Sequence, residues 1–255
     1  MYKNIFSCNN KVALIIGGNG LLGKEVVKGL YDFGAKVYSA DIDNTTSDDC
    51  SKDKLLFEYC DITNETSIRS LVEKVVSHDH KIDIFINCAY PRTSDWGIKL
   101  EAISFDSWKS NVDMHLGGYF LCCKVIAEQM KKQSSGSIIN FSSIYGVVGP
   151  DFSIYEGTDM TTPVPYVAIK GGIISLSRYF ATYYAKYNIR VNTISLGGIF
   201  DQQPSSFVEK YSKKTPLGRM AKAQEAVGMI IFLSSEASSY VTGQNFLIDG
   251  GWTAW

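Results

Sequence analysis

The sequence VALIIGGNGLLGKEVVKGLYDFGAKVYSAD, residues 12–41, decides the fold. Its first five residues are apolar and largely β-branched, which is typical of a short buried strand, and they end abruptly at GGNG, residues 17–20. Residues 21–33 then place apolar side chains at helical spacing, Gly34 marks the helix end, and residues 36–40 resemble a second strand. The stretch therefore predicts a strand–turn–helix–strand unit.

The same alternation of short apolar runs and helical periods continues to the end of the chain. Further strands are predicted at residues 55–60, 82–87, 137–142, 190–195 and 245–248, and helices at about 64–77, 105–131, around Tyr166, and 223–234. No linker or change of composition interrupts the 255 residues. Repeated βα units predict an α/β fold in one domain, residues 1–255: a doubly wound parallel sheet of the Rossmann type, with about seven strands and helices on both faces.

Composition and charge narrow the classes of partner. Charged residues make up 20% and hydrophobic residues 45% of the chain, as in an ordinary globular protein, and the net charge is −1. Neither nucleic acid nor a membrane is therefore expected as a partner. No apolar run approaches the roughly 20 residues of a membrane span, and residues 1–10 lack the apolar core of a secretion signal. These observations predict a cytoplasmic protein.

The cysteines and histidines do not predict a metal site. No two cysteines form a CxxC pair, and their spacing matches no zinc-binding pattern. In a reducing compartment most of them are expected to be small buried hydrophobic residues; they are Cys8, Cys50, Cys60, Cys88, Cys122 and Cys123. Two of the three histidines, His78 and His80, lie in a polar stretch, residues 77–81, that is interpreted as a loop.

The glycine turn has the features of a phosphate-binding loop. Gly17, Gly20 and Gly23 let the backbone approach a pyrophosphate, and the helix that follows offers unpaired N–H groups and a favourable dipole. A tight turn without a ligand is the alternative interpretation.

Asp41 ends the second strand, 18 residues after Gly23. A carboxylate at that position accepts hydrogen bonds from the adenosine ribose of NAD and repels the 2′-phosphate of NADP. The alternative is a strand-end turn, because Asp41, Asp43 and Asn44 are all turn-forming residues. We expect NAD rather than NADP.

Tyr166 and Lys170 form a candidate proton-handling pair. They are four residues apart, so on a helix they share one face, and a neighbouring ammonium group lowers the pKa of a phenol. Fifteen tyrosines yield about one such pair by chance, so the surrounding residues must support it. Polar residues follow several strands at the edge where ligands bind in such a sheet, among them Asp61, Asn87 and Ser143.

Nearly the whole chain resembles the short-chain dehydrogenase/reductase family, in its short single-domain branch. The similar segments are the glycine turn at residues 17–23, CDIT at 60–63, NCAY at 87–90, Ser143 before Gly146, the Tyr166–Lys170 pair, RVN at 190–192 with LG at 196–197, VTGQ at 241–244 and DGG at 249–251. The resemblance implies NAD as cofactor, bound by Gly17, Asn19, Gly20, Leu21, Leu22, Asp41, Asp61, Ile62, Asn87, Ala89, Tyr166, Lys170, Gly197 and Ile199.

The resemblance also implies the reaction, a hydride transfer between a secondary alcohol or ketone and the nicotinamide. Tyr166 is then the general acid or base, Ser143 hydrogen-bonds the substrate oxygen, and Lys170 contacts the nicotinamide ribose and lowers the tyrosine pKa.

Four positions depart from the family pattern. Leu21 replaces the middle glycine, a spacing familiar from the longer, epimerase-like branch, Tyr90 replaces a glycine, and Leu196 replaces a proline. His115 stands where the catalytic asparagine is expected, and Asn111 falls four residues too early. His115 is either an interior residue hydrogen-bonded to the protein or the catalytic group that holds the water of a proton relay behind Lys170.

The segment between Ser143 and Tyr166 is longer than is usual for the family. Its extra part, at about 150–165, is polar around Phe152, Tyr155 and Met160, as in a substrate loop or a solvated excursion. It is similar to segments of enzymes that modify bacterial flagellin and surface glycans, which implies a sugar, a sugar phosphate or a nucleotide sugar as substrate. A lid is expected at about 198–216, with three lysines that meet a phosphate or face solvent: Lys210, Lys213 and Lys214.

Other functions and assemblies remain open at this stage. One alternative is a reductase of 3-oxoacyl thioesters or simple ketones, and another is a non-catalytic NAD-binding partner protein. An epimerase or dehydratase is disfavoured, because the short C-terminal part leaves little room for a separate substrate domain. Relatives imply a homotetramer or homodimer, with candidate interface residues at Cys122–Cys123, Tyr179–Phe180 and Trp252–Trp255.

Overall fold

A parallel β-sheet forms the centre of the computed structural model, which describes residues 4–43 and 55–255. The strands are β1 (Val12–Ile16), β2 (Lys36–Asp41), β3 (Leu55–Tyr59), β4 (Ile84–Asn87), β5 (Gly136–Ser143), β6 (Ile189–Leu196) and β7 (Asn245–Ile248). Their order is β3–β2–β1–β4–β5–β6–β7, and each neighbouring pair is parallel. The predicted sheet is confirmed, and its strand order reverses between β1 and β4, which is where such folds bind ligands.

Helices cover both faces of the sheet, as predicted. They are α1 (Leu21–Asp32), α2 (Glu65–Asp79), α3 (Phe105–Asn111), α4 (Gly118–Gln133), α5 (Val164–Tyr184), α6 (Ser205–Lys214) and α7 (Val227–Ser234). Along β1, Leu14 and Ile16 join an apolar cluster with α2, α4 and α5, whereas Ala13 and Ile15 join a cluster with α1 and α7. Because strand side chains alternate between faces, a strand buried on both sides needs an uninterrupted apolar run.

The helix predicted at 105–131 is interrupted. A π-helical stretch, Val112–Gly117, separates α3 from α4. The chain packs closely at the end of that stretch, since a Cβ atom on Gly118 would lie 2.6 Å from the Ile62 side chain. Such wide turns occur frequently at functional sites, and this one contains His115.

The loop interpretation of residues 77–81 is wrong. Helix α2 continues to Asp79, and His80 caps it in the left-handed conformation, at φ 61°. The helix end is held by tertiary contacts, because Asp79 pairs with Lys36 at 2.8 Å and accepts a hydrogen bond from the Tyr38 hydroxyl. A polar composition alone does not reveal such contacts.

Burial corrects part of the expected subunit interface. Cys122 and Cys123 are completely buried against the sheet of their own chain, and Phe180 and Trp252 are also buried. These four residues are therefore not candidates for a subunit contact. The other described cysteines are buried or half-buried and free, as expected, whereas Cys50 and Asn44 lie outside the described residues.

The described residues contain neither a membrane-spanning helix nor a metal-binding cluster. Within 4–43 and 55–255, helices lack the combination of length and apolar character that crossing a membrane requires. The same ranges contain no cluster of three histidine, cysteine or acidic side chains arranged to hold a metal ion.

Candidate active site

The glycine turn between β1 and α1 is tightly packed against the next loop. Gly17 has a φ of 80°, and a Cβ atom there would lie 2.5 Å from the backbone nitrogen of Ala89. A Cβ atom on Gly23 would lie 2.0 Å from the carbonyl oxygen of Gly17. Only glycine fits these positions, and their close packing brings the start of α1 to the edge of the cleft.

Backbone amides hold the Asp41 carboxylate beside this turn. Its oxygens accept hydrogen bonds from the backbone N–H groups of Asn19, at 3.0 Å, and Ile42, at 2.8 Å. The contact with Ile42 is typical of a strand-end turn, but the contact with Asn19 orients the carboxylate toward the glycine turn. A cleft of about 380 Å³ adjoins these groups and is lined by Gly17, Asn19, Gly20, Asp41, Asp61 and Ile62, among others. Its carboxylates and glycine backbone fit the adenosine half of a dinucleotide.

A second, larger cleft of about 770 Å³ contains the candidate catalytic residues. Ser143, Tyr166 and Lys170 line it together with predicted cofactor residues, namely Gly20, Leu21, Leu22, Ala89, Gly197 and Ile199. Gly20 and residues 88–90 line both clefts, so the two are continuous. Asn87 and His115 line neither cleft and lie completely buried behind them.

The pKa of the Tyr166 phenol is raised, whereas the sequence analysis expected it to be lowered. Burial raises the pKa of the phenol, and the hydrogen bond with the Ser143 side chain lowers it only in part. Lys170 is not among the groups that shift it. The prediction that Lys170 lowers the tyrosine pKa is therefore not met, because removal of the phenol from water outweighs the effect of the nearby cation.

Lys170 is itself almost completely buried, and its surroundings disfavour its charge. Burial lowers the pKa of the ammonium group to about 7. The Nζ atom donates a hydrogen bond to the carbonyl oxygen of Phe141 at 3.2 Å, and the backbone carbonyl of Lys170 accepts one from Ser142 at 2.7 Å. These bonds attach α5 to the end of β5 and so position the lysine below the cleft.

Aromatic rings surround the Lys170 ammonium on its other sides. The Nζ atom lies 5.5 Å from the ring centroid of Tyr90 and 5.7 Å from those of Tyr119 and Tyr166. Ring faces attract a cation, and the attraction is larger away from water. Tyr90, which stands where the family has a glycine, therefore forms part of the lysine's immediate environment.

His115 lies beside this group of rings. Its ring contacts those of Tyr90 and Tyr119, at centroid distances of 5.1 and 5.4 Å. Burial and the nearby Lys170 lower the pKa of the imidazole well below its usual value, so His115 is neutral. Neither ring nitrogen has a hydrogen-bond partner among the described residues. The first alternative, a histidine hydrogen-bonded to the protein interior, does not describe this geometry.

Asn111 does not take over the position of the missing asparagine. Its amide nitrogen donates to the Thr93 hydroxyl at 2.7 Å and to the carbonyl oxygen of Ser107 at 2.9 Å, while its oxygen accepts from the backbone of Thr93. These bonds join α3 to the loop after β4. The amide is fully engaged there.

Comparison with known proteins identifies the family. A protein-family model described as enoyl-(acyl carrier protein) reductase matches residues 19–253. The chain belongs to the short-chain dehydrogenase/reductase family. Members of this family act on CH–OH groups, and the chain is accordingly an oxidoreductase.

Individual short-chain dehydrogenases and reductases match over nearly their full length. Post-translational flagellin modification protein A of Campylobacter coli is 36% identical, over 95% of this chain and 98% of that protein. Sorbose reductase of Candida albicans is 31% identical, over 98% of this chain and 89% of that protein. The crystal structure of a short-chain dehydrogenase from Leptospira borgpetersenii, with bound NAD+, superposes with a TM-score of 0.88 at 37% identity, covering 96% of this chain and 93% of that chain.

In this short-chain dehydrogenase, the long segment before Tyr166 is joined to helix α6. Lys210 on α6 donates to the backbone carbonyls of Ser153, at 3.2 Å, and Glu156, at 2.8 Å. Lys214, one turn further on, pairs with Asp151. These contacts fix residues 151–156 against α6, although Phe152, Ser153 and Glu156 remain exposed to solvent. Tyr155 and residues 160–163 line the larger cleft, so the segment forms one wall of it.

The lysines of α6 are engaged within the chain. Lys210 and Lys214 hold the segment at 150–165, and Lys213 pairs with Glu209 one turn away, at 2.6 Å. None of the three lines the larger cleft. The alternative in which these lysines meet a substrate phosphate therefore has no support in this arrangement.

Arg92 and Trp96 are among the residues of the larger cleft that were not anticipated from the sequence. Both follow β4 and line the cleft beside Tyr90. The available signal was their place in the loop after a central strand, at the sheet edge that carries the other candidates. Neither belongs to a family motif, so the sequence alone did not single them out.

Proposed function

We propose that this chain is an NAD(H)-dependent oxidoreductase that interconverts a secondary alcohol and a ketone on a sugar-type intermediate of flagellin or surface-glycan biosynthesis. The observation that carries the proposal is that Ser143, Tyr166 and Lys170 line one cleft, which is continuous with the glycine turn, with the Lys170 Nζ atom 5.7 Å from the Tyr166 ring centroid. When bound there, NAD(H) supplies or accepts the hydride.

The chain's own residues handle the proton and the substrate oxygen. Tyr166 takes the hydroxyl proton in oxidation or returns it in reduction, and Ser143 hydrogen-bonds the same oxygen. Lys170, whose Nζ atom lies 5.7 Å from the Tyr166 ring centroid, would hold the nicotinamide ribose hydroxyls. Asp41 would accept hydrogen bonds from the adenosine ribose, and its carboxylate would disfavour the 2′-phosphate of NADP.

Polar groups of the cleft support a hydroxyl-rich substrate. The wall at 150–165 contributes the hydroxyls of Tyr155, Thr161 and Thr162, with Tyr155 and Thr162 hydrogen-bonded to each other at 2.6 Å. A relative named for flagellin modification and another named for sorbose reduction point to the same class. A sugar offers several hydroxyls to such a wall and an apolar ring face to its aromatic side chains.

A 3-oxoacyl-thioester or simple ketone reductase is the second candidate. It is favoured by the description of the matching family model, and by the apolar residues Ile144, Met160 and Phe207 in the same cleft. A third candidate, of another class, is a non-catalytic NAD-binding partner protein. The Ser143–Tyr166–Lys170 arrangement argues against that candidate, because simple binding does not require it.

The test combines substrate screening with a catalytic variant. Sugars, sugar phosphates, nucleotide sugars and 3-oxoacyl thioesters are incubated with the protein, and the change in NAD(H) absorbance is followed. Tyr166→Phe should abolish turnover while leaving NAD affinity nearly unchanged, and the control Tyr179→Phe, on the exposed face of the same helix, should retain turnover. NAD binding without reaction of any substrate class would favour the partner-protein candidate. Substantial turnover by Tyr166→Phe would refute the assignment of its role.

The proposal includes a cytoplasmic homo-oligomer, a tetramer or dimer. Three large aromatic side chains, Phe120 on α4 and Tyr179 and Tyr183 on α5, are exposed on the outer side of neighbouring helices. Covering them with a second copy of the chain would remove apolar surface from water. Sedimentation of the wild-type protein and of a Tyr179→Lys variant tests this, since a monomeric wild type would exclude it.

A further inference from the structure

Arg92 carries a cation that the protein itself does not neutralise. Its guanidinium carbon lies 5.5 Å from the ring centroid of Tyr90, which holds the side chain against the cleft. Within residues 4–43 and 55–255, no carboxylate lies within 4 Å of the guanidinium, and no acceptor receives a hydrogen bond from it. Arg92 is exposed and lines the cleft, so its five N–H donors are available to a ligand there.

Three of the other four arginines have their donors occupied, and the fourth, Arg178, is exposed on α5 and does not line the cleft. Arg69 pairs with Glu65 at 2.5 Å, and Arg219 pairs with Glu225 at 2.6 Å. Arg190 donates to the carbonyl oxygen of Leu233 at 2.8 Å. Arg92 differs from these three because it is anchored by a ring face, which leaves its hydrogen-bonding edge available.

The position of Arg92 relates it to the reacting end of the cleft. The Tyr90 ring that it contacts lies 6.2 Å from the Tyr166 ring, and Trp96 lies 5.8 Å from Tyr90 and 6.2 Å from Tyr166, between ring centroids. The Tyr90 ring thus lies between the Arg92 guanidinium and the phenol of Tyr166. Among the described residues, the other charged side chains that line this cleft are Lys170, which is buried below it, and Asp201.

We propose that Arg92 binds an anionic group of the substrate, a phosphate monoester or a carboxylate, while the substrate's hydroxyl or carbonyl group reacts at Tyr166. A guanidinium fork matches both anions in a bidentate geometry, which a lysine does not. Tyr90 and Trp96 line the path between the two ends. This inference rests on the proposed function and narrows its substrate class to acidic sugars: sugar phosphates or sugar acids.

The test measures binding without turnover. The Tyr166→Phe variant is saturated with NAD+, and calorimetry compares three ligand sets on the same sugar scaffolds: neutral sugars, their phosphate monoesters and their carboxylic acids. Inorganic phosphate serves as the simplest anionic probe.

The measured quantity is the ratio of the affinity for an anionic ligand to the affinity for its neutral counterpart. Adding Arg92→Gln to the variant should lower this ratio about 10- to 100-fold, because a charge-assisted bidentate contact is lost, whereas Arg92→Lys should lower it less. The matched control Arg69→Gln removes an exposed guanidinium outside the cleft and should leave the ratio unchanged.

The outcomes separate the inference from the proposed function. A ratio that does not depend on Arg92, or a loss of NAD+ affinity in Arg92→Gln, would overturn the inference even if the enzyme oxidises neutral sugars. Arg92-dependent binding of anionic ligands that never react in the Tyr166-intact protein would support the inference while contradicting the proposed reaction. The phosphate and carboxylate sets identify which anion the guanidinium prefers.

Discussion

The Nζ atom of Lys170 lies 5.5 Å from the ring centroid of Tyr90. This contact depends on a tyrosine where the family resemblance predicts a glycine, and it joins the loop after β4 to the helix of the candidate catalytic pair. With the rings of Tyr119 and Tyr166 it encloses the ammonium group and excludes water from it. The consequence is a lysine whose pKa is lowered to about 7.

Lys170 should make the stability of the cofactor-free protein depend on pH. The unfolded chain keeps this proton up to its ordinary pKa of 10.5, whereas the folded protein releases it near 7. Between these values the unfolded state binds more protons, so this group makes the free energy of unfolding rise with pH, by at most about 1.4 kcal/mol per pH unit. Urea unfolding of wild type and Lys170→Met between pH 7 and 9 measures the effect. Equal slopes in the two proteins would contradict it.

His115 should support turnover more than cofactor binding. If the neutral imidazole holds the water of a proton relay behind Lys170, His115→Ala should lower kcat about 10- to 100-fold with little change in NAD affinity. His115→Asn, which restores the amide expected in the family, should recover most of the activity. A solvent-deuterium effect on kcat that changes in the alanine variant distinguishes a relay from a packing role. Unchanged turnover in His115→Ala would eliminate the relay.

Asp41 should determine the choice between NAD and NADP. Asp41→Ser removes the carboxylate that accepts from the Asn19 amide and that repels a 2′-phosphate. We expect about a 10-fold loss of NAD affinity from the lost hydrogen bonds, and a gain in NADP affinity. Fluorescence titration with both cofactors measures this. Asp32→Asn, which removes a charge at the far end of α1, is the control, and unchanged preference in Asp41→Ser would exclude the role.

The lysines of α6 should affect substrate binding through the wall at 150–165. Replacing both Lys210 and Lys214 with methionine removes the contacts to Asp151, Ser153 and Glu156. Because exposed ion pairs contribute only about 0–1 kcal/mol each, the Tm should change little, while KM rises several-fold as the wall loosens. NAD affinity should not change.

Lys213→Met provides the matched control for that prediction. Lys213 lies on the same helix and pairs only with Glu209, within α6. Its replacement removes one lysine without touching the wall, so KM should remain at the wild-type value. If KM rose equally in Lys213→Met, the effect would come from the loss of a positive charge and not from the contacts with the wall.

Much of the site was predictable because its signals are local. The glycine turn, Asp41 at the end of β2, and the four-residue spacing of Tyr166 and Lys170 each depend on a few neighbouring residues, and parallel strands bring their carboxyl ends to one edge. The error about the tyrosine pKa arose because a sequence shows that a cation is nearby but not how deeply both groups are buried. Burial is the larger effect here.

The sequence by itself determined the strand–turn–helix alternation, the sheet it forms, and the edge at which Ser143, Tyr166 and Lys170 meet. Only the tertiary structure decided that a π-helical stretch turns His115 into the interior, that Tyr90 faces Lys170, and that Arg92 reaches the cleft. The physical reason is the range of the contacts. Periodicity and turn chemistry operate over a few residues, whereas these side chains are positioned by packing between segments that are distant in the sequence.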